Sequence, residues 1–189
     1  MPRPAVKKDA IERSALELFV EKGIDGTSIR DIARRAGVTE GALYRHHASK
    51  NDLVRALFFH YFENYAELLR HAAEGAGTME SKLGAMIEGF YTEYDRDPKS
   101  FLFVMNVRHV LLEDVRRDMA NPTDVLLDVL RDAITSGEIP EQDAILTTHL
   151  LMGMVMHAAV GHRYGRIKGK LRAQSSPVTR ACMAVLKNS

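Results

Sequence analysis

Val54, Leu57, Phe58, Tyr61, Phe62, Tyr65, Leu68 and Leu69 hold a 3.6-residue period for five turns, which makes this stretch a long amphipathic helix. Ser49, with Asp52 three residues on, supplies the capping pattern that starts it, and the Gly75-Ala76-Gly77 break stops it. Shorter helices precede it. Ile11, Ala15, Leu18 and Phe19 form one stripe on a first helix ending near Gly23. Ser28 with Asp31 opens a second of about two turns, closed by Gly37, and Thr39 caps a third that runs through His46. Beyond the long helix, Leu83, Ile87, Phe90, Tyr91 and Tyr94 mark a fifth, and Asp97-Pro98 and Asn121-Pro122 start a sixth and a seventh. The eighth, from about Glu141 to Arg163, is apolar nearly all round, the mark of a helix buried on several sides. Ser176-Pro177 starts the ninth. Nothing repeats at a fixed period and strand signals are missing. The expected fold is all-α, with a small N-terminal domain over 1–56 and a larger helical bundle over 57–189.

Charge adds a pattern that the net value of +1 conceals. Residues 1–55 carry 11 Lys/Arg against 8 Asp/Glu, residues 56–145 carry 8 against 17, and residues 146–189 carry 7 against none. Basic ends around an acidic middle are compatible with nucleic-acid contact and equally with ordinary solvated faces. The sequence has no run of 18 apolar residues, and MPRPAVKKDAIER lacks the apolar core of a signal peptide, so a cytoplasmic chain without membrane spans is expected. Cys182 is the only cysteine, which excludes an internal disulfide and a zinc site built on several cysteines.

The second and third helices, IRDIARRAG-VTEGALYRHH, have the proportions of a helix-turn-helix. In such a unit the front of the second helix enters the major groove, so Thr39, Glu40, Gly41 and Ala42 are the candidates for approaching base edges. Tyr44, Arg45, His46 and Lys50 would lie along the phosphate backbone, where contacts position the protein but specify little.

The run GIDGTSIRDIARRAGVTEGALYRHHASKNDLV resembles the DNA-binding domain of the TetR/AcrR family of transcriptional regulators over roughly residues 6–56. Several features agree in register: Gly23, Thr27-Ser28 before IRDIA, Gly37-Val38, Leu43-Tyr44 and Ser49-Lys50. The resemblance implies that Thr27 and Ser28 cap the second helix near a phosphate, that Glu40 and Gly41 face bases, and that Tyr44, His46 and Lys50 bind phosphates. It also implies a divergent ligand-binding domain and a homodimer joined through the last two helices. His47 departs from the pattern, standing where the family usually has Phe or another apolar residue.

His46 and His47 are adjacent, and so point to different sides of a helix, which makes a poor metal pair; no metal, cofactor or catalytic residue is expected. Candidates for an effector pocket are Phe62, Phe90, Tyr94, Phe103, Met105, His109, His149, Met152 and Met156. Candidates for the dimer interface are Leu151, Val155, Ala159, Val178, Ala181, Cys182 and Val185. The basic loop HRYGRIKGKLR over 162–172 reads as a solvated connection, with an anionic effector or an acidic patch elsewhere on the dimer as the sharper alternative. The expected function is a ligand-responsive regulator, most simply a repressor, that binds a palindromic operator in double-stranded DNA as a homodimer and is released by a small-molecule effector. The alternatives are an activator, or a small-molecule-binding or enzymatic helical domain with a vestigial helix-turn-helix.

Overall fold

A computed structural model of the chain describes residues 4–74, 77–115 and 119–188. These residues are all-α, as the periodicity requires. The helices are α1 (Pro4–Lys22), α2 (Ile29–Ala36), α3 (Glu40–Tyr44), α4 (Lys50–Glu74), α5 (Met79–Arg96), α6 (Pro98–Leu111), α7 (Pro122–Thr135), α8 (Ala144–Arg163) and α9 (Ser175–Lys187). Short 3₁₀ turns cover Leu112–Asp114 and Leu171–Gln174. Arg3, Gly75 and Ala76 lie outside the described residues. Ser28, Thr39, Ser49 and Asn121 form the caps read from sequence, whereas α9 begins at Ser175 after Gln174, which makes no side-chain cap, and not at Ser176-Pro177. Ser28 Oγ accepts from the Asp31 backbone N–H at 3.1 Å, while Asp31 accepts from the Ser28 N–H. Gly37 closes α2 at φ 66°, a left-handed conformation that a β-carbon disfavours. The third helix is two residues shorter than expected, ending at Tyr44.

The backbone groups into two compact units, Met1–Tyr61 with Lys99–Arg117, and Phe62–Pro98 with Asp118–Ser189. The sequence boundary at residues 56/57 placed α6 in the larger bundle, but α6 groups with the first unit, where Phe103 stacks on Phe19 with centroids 5.9 Å apart. The core of that unit also holds Ile11, Leu16, Ile32, Leu43, Leu53 and Phe58. Charges join three of its helices: Arg35 meets Glu21 at 2.9 Å and Lys99 meets Glu17 at 3.3 Å. Burial alone would raise the Glu17 carboxyl, yet Lys99 and Arg13 hold it below its ordinary value.

In the second unit α5 packs on α9 and α7 on α8. Tyr91 is fully buried and its hydroxyl donates to the Val155 carbonyl at 3.0 Å, which satisfies the polar end of a large core residue. α8 is long and apolar enough, by length and composition, to cross a membrane. Its burial differs from expectation. Thr147, Thr148, Leu151, Val155 and Ala159 face inward, whereas Ile145, Leu146 and Leu150 are 56%, 57% and 51% exposed. The helix is therefore buried along one row rather than on several sides.

Candidate functional site

The helix-turn-helix is set by local chemistry. The N–H groups of Gly37 and Val38 return to the Arg34 and Ala33 carbonyls, which ends α2 and turns the chain sharply. One residue later Thr39 adopts extended backbone and its side chain accepts from the Ala42 N–H at 3.1 Å, starting α3. Leu43 and Ala42 point into the core, leaving Thr39, Glu40, Gly41, Tyr44 and Arg45 as the outward row. Around Gly41 there is open space where a Cβ would stand, and Tyr44 is 51% exposed despite its size. Such a surface presents a flat backbone approach at its front and donor groups at its rear.

Several candidates from the sequence sit elsewhere. Ala42 is buried beneath the outward row, so it cannot reach a base edge. Thr27 is also buried, and its hydroxyl donates to the Gly23 carbonyl at 2.8 Å, serving the end of α1 instead of a phosphate. Lys50 is half-buried: Nζ donates to the carbonyls of Ile24 at 2.8 Å and Thr27 at 3.0 Å, which engages two of its three protons within the protein. Ser28, the cap of α2, is exposed and His46 is half-buried. Exposed Arg30, in the first turn of α2, was missed by motif reading. The signal was available: apolar Ile29, Ile32, Ala33 and Ala36 leave residues 30, 31, 34 and 35 on the outer side. Lys7 and Lys8 belong to α1, and Lys8 pairs with Glu12 at 3.7 Å.

His47 occupies the apolar position expected of it. The ring is 4% exposed, with Nε2 3.4 Å from Glu12 Oε1 on α1 and Nδ1 3.8 Å from Asp52 Oδ2 on α4. Nε2 has no hydrogen-bond partner of good geometry. Burial pushes the imidazole pKa down, outweighing the two carboxylates, which pull it up.

The effector candidates divide between the two units. Phe62, Phe90 and Tyr94 are buried in the second, where Phe90 meets Tyr65 edge-on at 5.6 Å. Met152 and Met156 are half-buried on α8. Phe103, by contrast, is committed to the core of the first unit, His109 and His149 are exposed, and half-buried Met105 takes a contact from Arg108. Among the interface candidates, Leu151, Val155, Ala159 and Cys182 are filled into the chain's own core, where they present no surface to a partner. Val178 and Val185 are half-buried and Ala181 is exposed. Among the described residues no cluster of three or more His, Cys, Asp or Glu is arranged to hold a metal.

Residues 11–57 match the profile of bacterial regulatory proteins of the tetR family. Over 153 residues the chain is 32% identical to the HTH-type transcriptional repressor KstR2 of Mycolicibacterium smegmatis, an alignment covering 76% of this chain and 73% of that protein. The chain belongs to the TetR family. As a TetR-family member it is a ligand-responsive, DNA-binding transcriptional regulator built from a helix-turn-helix domain and a helical ligand-binding domain. It is also 25% identical over 155 residues to the HTH-type transcriptional activator FasR of the same species, covering 80% of this chain and 68% of that one. The TetR fold is shared with the transcriptional regulator FadR of Bacillus subtilis, solved in complex with stearoyl-CoA, at a TM-score of 0.77 and 21% identity over 93% of this chain and 97% of that one.

Proposed function

We propose that this TetR-family chain is a cytoplasmic repressor that binds a palindromic operator as a homodimer and leaves it when a small molecule occupies the second unit. Its work is binding rather than catalysis. The observation that carries the reading is the outward row of α3, where an unobstructed Gly41 stands between Glu40 and Tyr44 directly behind a capped helix start. Glu40 accepts from a cytosine amino group, Gly41 allows the backbone close to the base edges, and Tyr44 and Arg45 meet phosphates together with Ser28, Arg30 and His46. A five-residue helix binds weakly alone, and two of them one DNA turn apart supply both affinity and the palindrome.

Release follows from population shift. An effector that binds preferentially to the conformation whose recognition helices miss successive grooves lowers operator affinity, and each tenfold loss needs about 1.4 kcal/mol of differential binding. The stearoyl-CoA bound by the Bacillus subtilis neighbour makes long-chain acyl-CoA thioesters the first effectors to assay. Selection of bound duplexes from a random pool tests the reading: an enriched palindrome is expected, and a pool without enrichment would count against it. A reporter placed behind that palindrome then gives the sign, which the FasR likeness leaves as a true second reading, because that relative is an activator.

A further inference from the structure

The outward row of α8 carries two histidines among its leucines. His149 and His157 are exposed, and Gly153 stands between them, one helical turn from each, with open space where a Cβ would be. Ile145, Leu146 and Leu150 share that side and are exposed as well. Buried Leu151, Val155 and Ala159 hold the opposite row, where α5 meets the helix through the hydrogen bond from Tyr91 to the Val155 carbonyl. Large apolar side chains around a glycine that lets another backbone come near mark the side of α8 that a second copy covers in the proposed homodimer.

His149 Nδ1 lies 2.8 Å from the Ile145 carbonyl, which can only accept, so Nδ1 carries the hydrogen and Nε2 is the atom that takes up a proton. The ring is thereby tied to its own helix in both charge states. The surroundings offer an imidazolium no counter-charge. Residues 146–189 carry 7 Lys/Arg and no Asp or Glu, so neither α8 nor α9 of a second copy brings a carboxylate to this row. On α9, packed against α8, Arg180 donates to Ser176 and Lys187 lies 3.9 Å from Glu80. On α7, also packed against α8, Asp124, Asp128, Arg131 and Asp132 are exposed, and Arg131 lies 3.9 Å from Asp128. Before α8, Glu141 is exposed and Asp143 serves as the cap, accepting from the Ile145 and Leu146 N–H groups at 3.0 Å each. Among the described residues none of these charges pairs with His149 or His157.

We propose, resting on that homodimer, that His149 and His157 make it acid-sensitive: neutral imidazoles are covered by the second copy, and protonated ones drive the two chains apart. Two-fold symmetry places each histidine twice, so four imidazoles charge together on a face without carboxylates, where like charges repel and a covered charge loses its water. Separated chains take up those protons in water. Dimer affinity is therefore full while the rings are neutral and falls as pH drops through the range in which imidazoles charge, about pH 8 to 5. Operator binding needs both recognition helices and falls with it. Sedimentation equilibrium of the full chain at about pH 8 and about pH 6, at constant ionic strength, tests this, with helicity followed by circular dichroism. The dimer dissociation constant should rise about tenfold or more at the lower pH while helicity is kept. H149Q/H157Q should dimerise equally at both pH values, and H149K/H157K, charged throughout, should be a folded monomer at either. His47→Phe should keep the full shift, which separates the effect from acid loosening of the first unit. A wild-type dimer with the same dissociation constant at both pH values, or an H149Q/H157Q variant that keeps the shift, overturns the proposal and leaves the homodimer standing. A wild-type chain that is monomeric at both overturns the homodimer and the acid sensitivity together.

Discussion

Lys50 and His47 sit three residues apart in sequence and illustrate opposite limits of motif reading. The resemblance assigned Lys50 to a phosphate, but its ammonium reaches 26 residues back to the turn before α2 and ties it to the start of α4. A contact between positions so far apart leaves no local signature, which is why the sequence could not show it. Removing a charged donor from two carbonyls costs about 1.5–3 kcal/mol, so Lys50→Met should lower the unfolding free energy by that amount in urea denaturation. It should leave the salt slope of DNA binding unchanged. A slope smaller by about one returns Lys50 to the phosphate backbone. For His47, by contrast, the burial read from the family register is the burial found. Desolvation lowers its folded pKa beneath the ordinary value of 6.5, with Glu12 and Asp52 opposing and Lys8 and His46 adding to the depression. The unfolded chain then takes up the proton first, so stability is complete above the unfolded value and falls as pH drops through it toward the folded one. His47→Phe should remove part of that acid loss. Melting curves from mildly acidic to neutral pH check it: a difference between the two proteins that is constant with pH would show that His47 does not titrate in this way.

At the scale of the element, cap chemistry was the legible part and facing was not. Ser28 with Asp31, Thr39 and Asn121-Pro122 each start a helix where the sequence places one, because a cap is decided within three or four residues. α8 defeated the stripe reading because apolar residues occur on all its sides. Two threonines lie on the inner row: Thr148 donates to its own helix at the Ala144 carbonyl, 2.7 Å away, and Thr147 to Gln142 at 3.1 Å. Polar groups that find such partners can be buried, which leaves Ile145, Leu146 and Leu150 outside. In α3 the same logic separates stability from function. Gly41 lies in ordinary helical backbone with nothing near its missing Cβ, so Gly41→Ala should stabilise the helix by up to about 1 kcal/mol. The methyl would meanwhile stand between the backbone and the base edges. Thermal melts should therefore rise while operator affinity, measured by fluorescence anisotropy, falls. If both rise or affinity is unmoved, the front of α3 does not approach DNA closely.

For the whole molecule, the exposed side of α8 bears on assembly. Leu151 is 0% exposed while its neighbour Leu150 is 51% exposed, so two adjacent leucines address different questions. A charge at Leu151 enters the chain's own core without a partner and would unfold the protein in any oligomeric state. A charge at Leu150 is solvated in a single chain and becomes costly only where a second copy covers it. Exposed Ala181 and Ala184 on α9 add small residues that allow close approach beside α8, as a four-helix interface between two copies would need. In the proposed homodimer, Leu150→Glu should accordingly give a folded monomer in sedimentation at concentrations where the unaltered chain is expected to sediment as a dimer. Its melting temperature should no longer rise with protein concentration, because mass action has been removed. Operator binding should fall far more than any loss at a single half-site can explain, since one recognition helix remains where two acted together. A Leu150→Glu protein that sediments as a dimer would move the interface off this side of α8, and with it the spacing that joins the two half-sites.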